Sequence, residues 1–416
     1  MLCATAPNAI EAIPVRGLLA SVGVRWWAVI GVTVGLALAL GASRAGALDN
    51  GLARTPPMGW NAFYSLRCRV DERVVRETAD ALLATGMAAA GYRYVILDDC
   101  WMGHGRAADG ALRAQPDRFP HGIAALADYV HARGLKLGIY LDAGGHTCEY
   151  YAGSAGHLAR DVRTVAAWGV DYLKVDWCFT GAQSDRGTYG HISRTLRSTG
   201  RPIVFSVSNW GWHAPWAWGG PIANLWRIAG DLDWDKPPVH PWQAMLTAVD
   251  TDAALARYAG PGAWNDPDML PVGAPRLTTR EMRSAFSLWS VLAAPLAAGN
   301  DVRGMSDAAR DILTNAEVIA VDQDPAGLQG TRVAAGRGGR EVWVRRLAGG
   351  DRALLFFNRG RRQVSMRFFV RRLGLAPART YRVRDLWAHR THTVVRWIRA
   401  QVPRHGVALF RVSPAH

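Results

Sequence analysis

The sequence predicts an α/β fold, a (β/α)8 TIM barrel followed by a small C-terminal antiparallel β-sandwich. Between Thr55 and about Asp324, short apolar runs rich in β-branched residues alternate with amphipathic stretches. Eight such units over about 270 residues favour a closed barrel, because an open doubly wound sheet has about six strands. Beyond residues 324–327 (Asp-Pro-Ala-Gly) the helical periodicity stops, and only strands separated by Gly, Arg and Asn turns follow.

Each predicted element follows from its local pattern. The eight barrel strands are expected at Met58–Asn61, Tyr94–Asp98, Leu135–Leu141, Tyr172–Val175, Pro202–Val207, Leu225–Ala229, Ala263–Asp266 and Pro295–Ala298. Helices are expected at 71–90, 122–133 and 155–168, where apolar residues recur every three or four positions. Five sandwich strands are expected at 341–347, 353–358, 363–370, 380–386 and 406–412. We therefore expect a barrel domain over 48–328 and a sandwich domain over 329–416.

The first 47 residues have the composition of an export signal. Arg16 and Arg25 precede an apolar stretch at 26–40, and Ala-Gly-Ala at 45–47 provides a small-residue cleavage pattern. We expect a cleaved signal peptide over 1–47 and a secreted or periplasmic mature chain. The alternative is a membrane anchor, because an apolar run of about 17 residues approaches the length that spans a bilayer.

Cysteine usage fits an exported enzyme. Once Cys3 is removed with the leader, Cys68, Cys100, Cys148 and Cys178 remain. Four cysteines allow three disulfide pairings. Zinc ligation is the alternative, but it is disfavoured because the chain has no Cys-x-x-Cys pair of the usual spacing.

The net charge of +15 is concentrated in the C-terminal segment. Residues 331–416 contain 20 Arg, no Lys and three acids, for a charge of +17, which leaves −2 for residues 1–330. Such a module predicts attraction to an acidic polysaccharide or a cell surface. The alternation of Arg with apolar residues instead favours a solvated β surface. Nucleic acid is not expected as a partner, because no binding motif for it is present.

Polar side chains close several predicted barrel strands. Catalytic groups of such a barrel lie at the carboxyl ends of its strands, so these side chains are expected to converge there. They are Asp98, Asp99, Asp142, Lys174, Asp176, Arg227, Asp231, Asp266 and Asp268. Buried carboxylates are costly without partners, so their repeated use indicates an active site. Two carboxylates with aromatic walls are what the hydrolysis of a glycosidic bond requires.

Lys174 and Asp176 are two residues apart on a predicted strand and are expected to point to the same side. The lysine is then expected to lower the pKa of Asp176 and keep this carboxylate ionised as a nucleophile. The alternative is a buried ion pair with a purely structural role in closing the barrel.

Five segments in order resemble the α-galactosidases of glycoside hydrolase family 27. They are residues 55–61 (Thr-Pro-Pro-Met-Gly-Trp-Asn), 97–101 (Leu-Asp-Asp-Cys-Trp), 172–176 (Tyr-Leu-Lys-Val-Asp), 230–231 (Gly-Asp) and 264–269 (Trp-Asn-Asp-Pro-Asp-Met). The resemblance runs from about Leu48 to the C-terminus and includes residues 383–389 in the expected sandwich. One such motif would be a weak signal, whereas five in order are a strong one.

The resemblance implies a retaining double displacement that requires no metal or other cofactor. Asp176 would be the nucleophile and Asp231 the general acid and base. Asp233 and Asp235 lie just beyond Asp231 and are rival candidates for the acid. The family's disulfides would correspond to Cys68 with Cys100 and Cys148 with Cys178.

The resemblance also implies which polar residues bind the sugar. Asp98 and Asp99 would hold the 4- and 6-hydroxyls, and Lys174 a 3- or 4-hydroxyl. Arg227 and Asp268 would hold the region of the 2-hydroxyl. A pair of acids on the axial 4-hydroxyl would select galactose over glucose, because a misdirected hydroxyl leaves buried carboxylates unsatisfied.

Apolar contacts to the sugar ring are implied for Trp60, Tyr140 and Met269. The segment at Ser208, Asn209 and Trp210 resembles the family's specificity loop, in which Trp210 favours galactose over N-acetylgalactosamine. Seven tryptophans lie between 210 and 242, at 210, 212, 216, 218, 226, 234 and 242. We expect no more than two or three of them at an outer subsite, and core packing is the simpler explanation for Trp226 and Trp242.

The resemblance therefore implies a secreted, exo-acting α-galactosidase. Its substrate would be a galactosyl oligosaccharide, polysaccharide or glycoconjugate. Two alternatives belong to the same family, an α-N-acetylgalactosaminidase and a β-L-arabinopyranosidase. Two others belong to different classes, a galactose-binding protein without catalysis and a metal-dependent barrel hydrolase. The Asp98-Asp99 pair argues against the pentose, which has no 6-hydroxyl.

Overall fold

A computed structural model describes residues 48–236 and 238–415 of the chain. The expected signal peptide over 1–47 and its alternative, a membrane anchor, both lie outside the described residues. Of the helices within the described ranges, none is long and apolar enough to cross a membrane.

The first part of the described chain forms a barrel of eight parallel strands. They are β1 (Met58–Asn61), β2 (Tyr94–Leu97), β3 (Lys136–Asp142), β4 (Tyr172–Asp176), β5 (Val204–Ser208), β6 (Leu225–Arg227), β7 (Trp264–Asp266) and β8 (Leu296–Ala298). Consecutive strands pair in parallel from β1 to β7, and β1 also pairs with β8. A bridge between Leu270, just beyond β7, and Ala298 of β8 joins the two ends of the sheet. The predicted (β/α)8 barrel is confirmed.

Ten helices alternate with these strands in the described part of the chain. They are α1 (Phe63–Leu66), α2 (Glu72–Ala84), α3 (Met87–Ala90), α4 (Gly122–His131), α5 (Leu158–Ala167), α6 (Asp185–Ser198), α7 (Pro241–Asp252), α8 (Thr279–Leu292), α9 (Asp307–Leu313) and α10 (Ala316–Asp322). The single helix predicted over 71–90 is wrong, because it is divided into α2 and α3. Gly86 separates the two with a φ of +81°, a conformation in which a helix ends and which glycine adopts without strain.

Strand ends determine which side chains reach the rim of the barrel. The carboxyl-terminal residues of β3, β4 and β5 are Asp142, Asp176 and Ser208, and they align in register across the three neighbouring strands. β5 begins at Val204, two residues later than predicted. The predicted start, Pro202, has no amide proton to donate to the sheet.

The C-terminal part forms an antiparallel β-sandwich, as predicted. Its strands are β9 (Thr331–Gly336), β10 (Arg340–Arg346), β11 (Arg352–Asn358), β12 (Val364–Phe369), β13 (Tyr381–Asp385), β14 (Arg390–Val394), β15 (Trp397–Val402) and β16 (Gly406–Pro414). Six of them form one sheet in the order β14-β13-β16-β11-β10-β9, and β12 and β15 form the second. The prediction of five strands is too low because β9 and β14 are almost entirely exposed and lack an apolar alternation. β15 was missed although Ile398 and Val402 alternate with polar residues and are buried.

A buried arginine lies where the sandwich packs on the barrel helices. Arg345 of β10 is fully buried and donates to the carbonyl of Ser290 at 2.5 Å and to the carbonyl of Asp322 at 3.0 Å. Burial raises the pKa of the Asp322 carboxyl to about 8, although the Arg345 charge lowers it. One guanidinium thus satisfies two carbonyls, at the ends of helices α8 and α10.

Arg345→Ala is expected to lower the free energy of unfolding by about 3 kcal/mol, because it removes a charged donor from two buried carbonyls and opens a cavity. Urea unfolding followed by tryptophan fluorescence measures the change. The matched control is Arg346→Ala, which removes the exposed neighbour on the same strand. Equal losses in the two variants would contradict a specific role for Arg345.

Candidate active site

The polar side chains predicted at the barrel rim come together at the carboxyl ends of the strands. Asp98 and Asp99 follow β2, Asp142 ends β3, Lys174 and Asp176 belong to β4, Arg227 ends β6 with Asp231 four residues later, and Asp266 ends β7 with Asp268 two residues later. Most of these side chains are buried. Their clustering places several negative charges around two cations, the Lys174 ammonium and the Arg227 guanidinium.

Lys174 links the acids of β2 and β4. Its Nζ lies 2.9 Å from Oδ2 of Asp98 and 3.8 Å from Oδ2 of Asp176. The predicted same-side arrangement of Lys174 and Asp176 is therefore confirmed. Asn61, at the end of β1, also donates to Oδ2 of Asp98 at 2.6 Å. Asp98 is thus fixed by two donors from neighbouring strands.

The pKa of Asp176 departs from the expectation. Burial raises it to about 7, and although the Lys174 charge lowers it, the charges of Asp98 and Asp231 raise it further. The predicted lowering is wrong in its net sign because the desolvation of a buried carboxylate outweighs one ammonium at 3.8 Å. Among the described residues, Oδ1 of Asp176 is buried and has no hydrogen-bond partner.

Arg227 links the acids that follow β6 and β7. Its Nη2 lies 3.0 Å from Oδ1 of Asp231 and 3.3 Å from Oδ2 of Asp268. Partial burial raises the pKa of Asp231, but the charges of Arg227 and Lys174 outweigh it and hold this pKa below its ordinary value. The Asp231 side chain is 33% exposed and is therefore open to solvent.

Asp268 is held by donors as well as by Arg227. The Tyr64 hydroxyl donates to its Oδ2 at 2.5 Å, and the amide of Leu232 donates to the same oxygen at 2.8 Å. Burial nevertheless raises the pKa of Asp268 to about 6. Sequence reasoning missed Tyr64, which lies on the short helix α1, because nothing in its local pattern distinguishes it from a core tyrosine.

Backbone amides hold Asp99. The amide of Cys100 donates to its Oδ1 at 2.6 Å, and the amide of Glu149 donates to its Oδ2 at 3.1 Å. Burial is the larger effect and raises the pKa of Asp99 to about 6. The contact with Glu149 ties the loop after β3 to the acid pair that follows β2.

Two disulfides brace the loops of the rim. Cys68 is joined to Cys100 and Cys148 to Cys178, as the sequence resemblance implied. The zinc alternative is overturned for these four cysteines, because a disulfide sulfur is not a thiolate ligand. The group formed by Asp142, Cys148 and Cys178 has the spacing of metal ligands but contains this second disulfide.

Asp142 supports the loop that carries the second disulfide. Its carboxylate accepts from the amides of Gly144 at 2.7 Å and Cys178 at 3.1 Å, and from the Tyr140 hydroxyl at 3.2 Å. Burial raises the pKa of Asp142 well above its ordinary value, and the charge of Asp176 adds to this effect. A Cβ at Gly144 would lie 1.8 Å from the Cys178 carbonyl, so only glycine permits the two loops to pack this closely.

The apolar residues predicted to face a sugar have different environments. Trp60, Tyr140 and Met269 are buried, and the Trp60 indole donates to the Asn300 carbonyl at 2.7 Å. Trp210 is half-buried, has a left-handed φ of +54°, and packs edge-to-face on Trp212 at 5.4 Å.

The two residues at and just after the end of β5, and several of the neighbouring tryptophans, are buried. Ser208 is buried, and its hydroxyl has no partner among the described residues. Asn209 is also buried and donates to Asp185 at 3.0 Å, at the start of α6. Trp226 and Trp242 lie in the core as expected, and Trp234 does too.

The rival acids Asp233 and Asp235 are ion-paired outside the rim cluster. Arg67 Nη2 lies 2.6 Å from Asp235 and 3.4 Å from Asp233, and Lys236 lies 2.8 Å from Asp233. Since Arg67 precedes Cys68, these pairs connect the loop after β6 to the disulfide-bonded loop after β1. Their contacts indicate a structural role.

Comparison with known proteins gives a consistent match. A family model described as Alpha galactosidase A matches residues 55–324, and one described as Alpha galactosidase C-terminal beta sandwich domain matches residues 337–412. The chain is 44% identical over 368 residues to an α-galactosidase of Cyamopsis tetragonoloba, which covers 88% of each protein. It is also 41% identical over 367 residues to an α-N-acetylgalactosaminidase of Gallus gallus, covering 82% of this chain and 88% of that protein.

Solved structures agree with these sequence matches. The chain is similar to α-galactosidase I from Mortierella vinacea, with a TM-score of 0.84, 34% identity, and coverage of 88% of this chain and 99% of that one. It is also similar to an α-galactosidase from Saccharomyces cerevisiae solved with raffinose, with a TM-score of 0.80, 28% identity, and coverage of 88% and 99%.

The raised pKa of Asp176 predicts that the free energy of unfolding depends on pH. The pKa of Asp176 is about 4 in the unfolded chain and about 7 in the native state. Between these pH values the native state retains a proton that the unfolded chain releases. The free energy of unfolding therefore falls as pH rises through this range. Asp176→Asn, which cannot ionise, is therefore expected to gain about 4 kcal/mol of unfolding free energy relative to wild type between pH 4 and pH 8.

Urea unfolding of both proteins at pH 4, 6 and 8 measures this difference. The matched control is Asp307→Asn, which removes an exposed carboxylate on α9 and leaves the rim intact. A difference between Asp176→Asn and wild type that stays constant across this pH range would contradict the desolvated state of Asp176.

Proposed function

The chain belongs to glycoside hydrolase family 27, the α-galactosidase family, and we propose that it is an exo-acting α-galactosidase. In this proposal it cleaves terminal α-D-galactosyl residues with retention of configuration. The observation that carries the proposal is the shared charge network of Asp176 and Asp231, which lie at the ends of different strands. Lys174 bridges Asp98 and Asp176, and Arg227 contacts Asp231. Two carboxylates in one site, one buried and one open to solvent, match the requirements of double displacement.

In the first step, Asp176 attacks the anomeric carbon, and Asp231 gives its proton to the departing glycosidic oxygen. The bond from the anomeric carbon to the leaving group breaks as the ester to Asp176 forms. The free Oδ1 of Asp176 and its buried setting suit this role, because a poorly solvated carboxylate is a stronger nucleophile.

In the second step, water attacks the glycosyl ester while Asp231 takes a proton from it. The Asp176 carboxylate leaves, and galactose is released with the α configuration. The exposure of the Asp231 side chain suits this role, since water has to reach it.

The protonation states can be assigned to the pair rather than to single residues. In the free site, burial favours the proton on Asp176, while Arg227 favours ionised Asp231. The reaction needs the reverse arrangement. A glycosidic oxygen beside Asp231 accepts a hydrogen bond from the protonated acid, which favours the productive form when substrate binds.

We propose that selection of galactose depends on Asp98 and Asp99. Both side chains are buried, and Lys174 and Asn61 fix the orientation of Asp98. A terminal sugar whose 4- and 6-hydroxyls meet these carboxylates satisfies them, whereas the equatorial 4-hydroxyl of glucose leaves them unpaired. Arg227 and Asp268 would hold the 2-hydroxyl region, and Trp60, Tyr140 and Met269 would contact the ring.

An α-N-acetylgalactosaminidase is the second candidate, supported by the match to the enzyme of that name from Gallus gallus. The two activities differ at the substituent on carbon 2. Trp210, in the loop after Ser208, is the residue whose bulk would exclude the acetamido group. We therefore place galactose first.

We also propose a compartment and a class of substrate for the enzyme. Two disulfides support export, since they form and persist in oxidising compartments. We propose that the mature protein is secreted or periplasmic and acts on galactosyl oligosaccharides, polysaccharides or glycoconjugates. Its functional units would be the barrel over 48–328 and the sandwich over 329–416, with the Arg-rich sandwich free to attract acidic polymers.

The activity is tested with the protein from Leu48 and the nitrophenyl glycosides of α-galactose, α-N-acetylgalactosamine and β-L-arabinopyranose, with chelator present. We expect rapid nitrophenol release from the α-galactoside and little from the others. Faster turnover of another glycoside would keep the reaction class and overturn the reading of Trp210 and Asp98. Loss of activity on adding chelator would show a metal requirement, and failure to cleave any of the three would favour a binding protein.

The two carboxylates are expected to respond differently to substitution. Asp176→Asn should lower kcat by at least about 10⁴-fold on every glycoside and leave galactose binding intact, because the covalent step is lost. Asp231→Asn should lose most activity on alkyl galactosides, whose leaving groups need protonation, and much less on galactosyl fluoride. Asp233→Asn is the matched control, and a larger effect there than at Asp231 would reassign the acid.

A further inference from the structure

Exposed aromatic rings are concentrated at one part of the barrel rim. In the part of the chain that the structure describes, the exposed aromatic side chains are Tyr150 (67%), Phe179 (50%), Trp212 (56%) and Trp397 (38%). Three of them follow the adjacent strands β3, β4 and β5, and Asp176 ends the middle strand. Core packing does not account for such rings, because they remain in water.

Tyr150 and Phe179 form a pair beside the nucleophile. Their ring centroids are 5.0 Å apart, and His146 packs edge-to-face on Phe179 at 6.1 Å. Phe179 directly follows Cys178, and Tyr150 lies two residues after Cys148, the disulfide partner of Cys178. The sulfur of Cys148 lies 3.8 Å from Oδ2 of Asp176, so the two loops that carry the rings are joined by a disulfide that contacts the reacting carboxylate.

The backbone holds both rings in place. Tyr150 and Phe179 have φ angles of +65° and +50°, a left-handed conformation that is costly for residues other than glycine. The Tyr150 amide donates to the Thr147 carbonyl at 2.9 Å, and the Phe179 carbonyl accepts from the Gly145 amide at 3.3 Å. Strained backbone that carries exposed apolar side chains is unfavourable for stability and points to a ligand.

We propose that Tyr150 and Phe179 form a subsite for the leaving group, which binds the apolar face of the sugar unit attached to the terminal galactose. The inference rests on the proposed function, which fixes the anomeric carbon next to Asp176. The glycosidic oxygen then points away from the buried Asp98 and Asp99, toward the solvent side where the exposed rings lie. Rings stack on the C–H faces of pyranoses without reading particular hydroxyls, so the ligand class is a hexose unit of an oligosaccharide.

The test compares two substrates that share the galactosyl unit. Raffinose carries a glucose unit next to galactose, whereas α-galactosyl fluoride carries a single fluorine atom and cannot reach the subsite. In Phe179→Ala and Tyr150→Ala, we expect the ratio of kcat/KM for raffinose to kcat/KM for the fluoride to fall about five- to tenfold. Trp397→Ala, which removes an exposed ring from the sandwich, is the matched control and should leave the ratio unchanged.

A binding measurement separates this inference from the proposed activity. In the Asp176→Asn background, the Kd for raffinose should rise about five- to tenfold on removing either ring, while the Kd for galactose should not change. This experiment gives an answer even if the protein proves not to be a catalyst, because it needs no turnover.

Three results would overturn the subsite. An unchanged ratio and unchanged raffinose affinity would show that the rings do not contact the second sugar. A rise in the galactose Kd equal to that for raffinose would assign the rings to the galactose site or to its folding. An altered sedimentation coefficient in the ring variants, with raffinose affinity retained, would assign the exposed pair to contact between copies of the chain.

Discussion

Desolvation of carboxylates at the carboxyl ends of the barrel strands is the constraint on which the rest of the site depends. Burial raises the pKa of Asp176, Asp99 and Asp268, so none of these acids is in an environment that favours its charge. Two cations, Lys174 and Arg227, offset part of the free-energy cost of burying these negative charges together. The site is therefore a strained assembly whose stability and reactivity depend on the same charges.

The surrounding loops hold this assembly in one geometry. The second disulfide reaches within van der Waals distance of Asp176, and Asp142 fixes both loops that carry it through backbone amides. On the opposite side, Tyr64 and a backbone amide hold Asp268, and the ion pairs of Arg67 tie the loop after β6 to the first disulfide. Positions fixed by covalent bonds and amides vary little, which is what a displacement at one carbon atom requires.

Sequence reasoning captured the barrel because its strands are short, buried apolar runs, several of which end in or are followed by a polar residue, a pattern that is visible without tertiary information. It failed for the exposed strands β9 and β14, which are held by pairing rather than by burial. It missed β15 as well, although the alternation of Ile398, Ala400 and Val402 with polar residues was present in the sequence. It also missed Tyr64 and Asn61, whose importance arises only when loops distant in sequence meet.

The sign of the Asp176 pKa shift shows the same limit in electrostatics. A lysine two residues away could be read from the sequence, but the degree of burial could not, and burial is the larger effect. The acids Asp98 and Asp99, the disulfides and the exposed aromatic pair can be assigned to one site only when the fold is known. In this account Asp176 carries the nucleophilic role, and the geometry around it serves to place one sugar carbon against it.

The stereochemistry of hydrolysis is a direct test of whether Asp176 is the nucleophile. Proton NMR of the anomeric region during rapid hydrolysis of an α-galactoside identifies the first anomer released. If Asp176 is the nucleophile, α-galactose is released first and the β anomer appears later by mutarotation, because two displacements at one carbon restore its configuration. Release of β-galactose first would mean a single displacement by water and would remove Asp176 from the role of nucleophile.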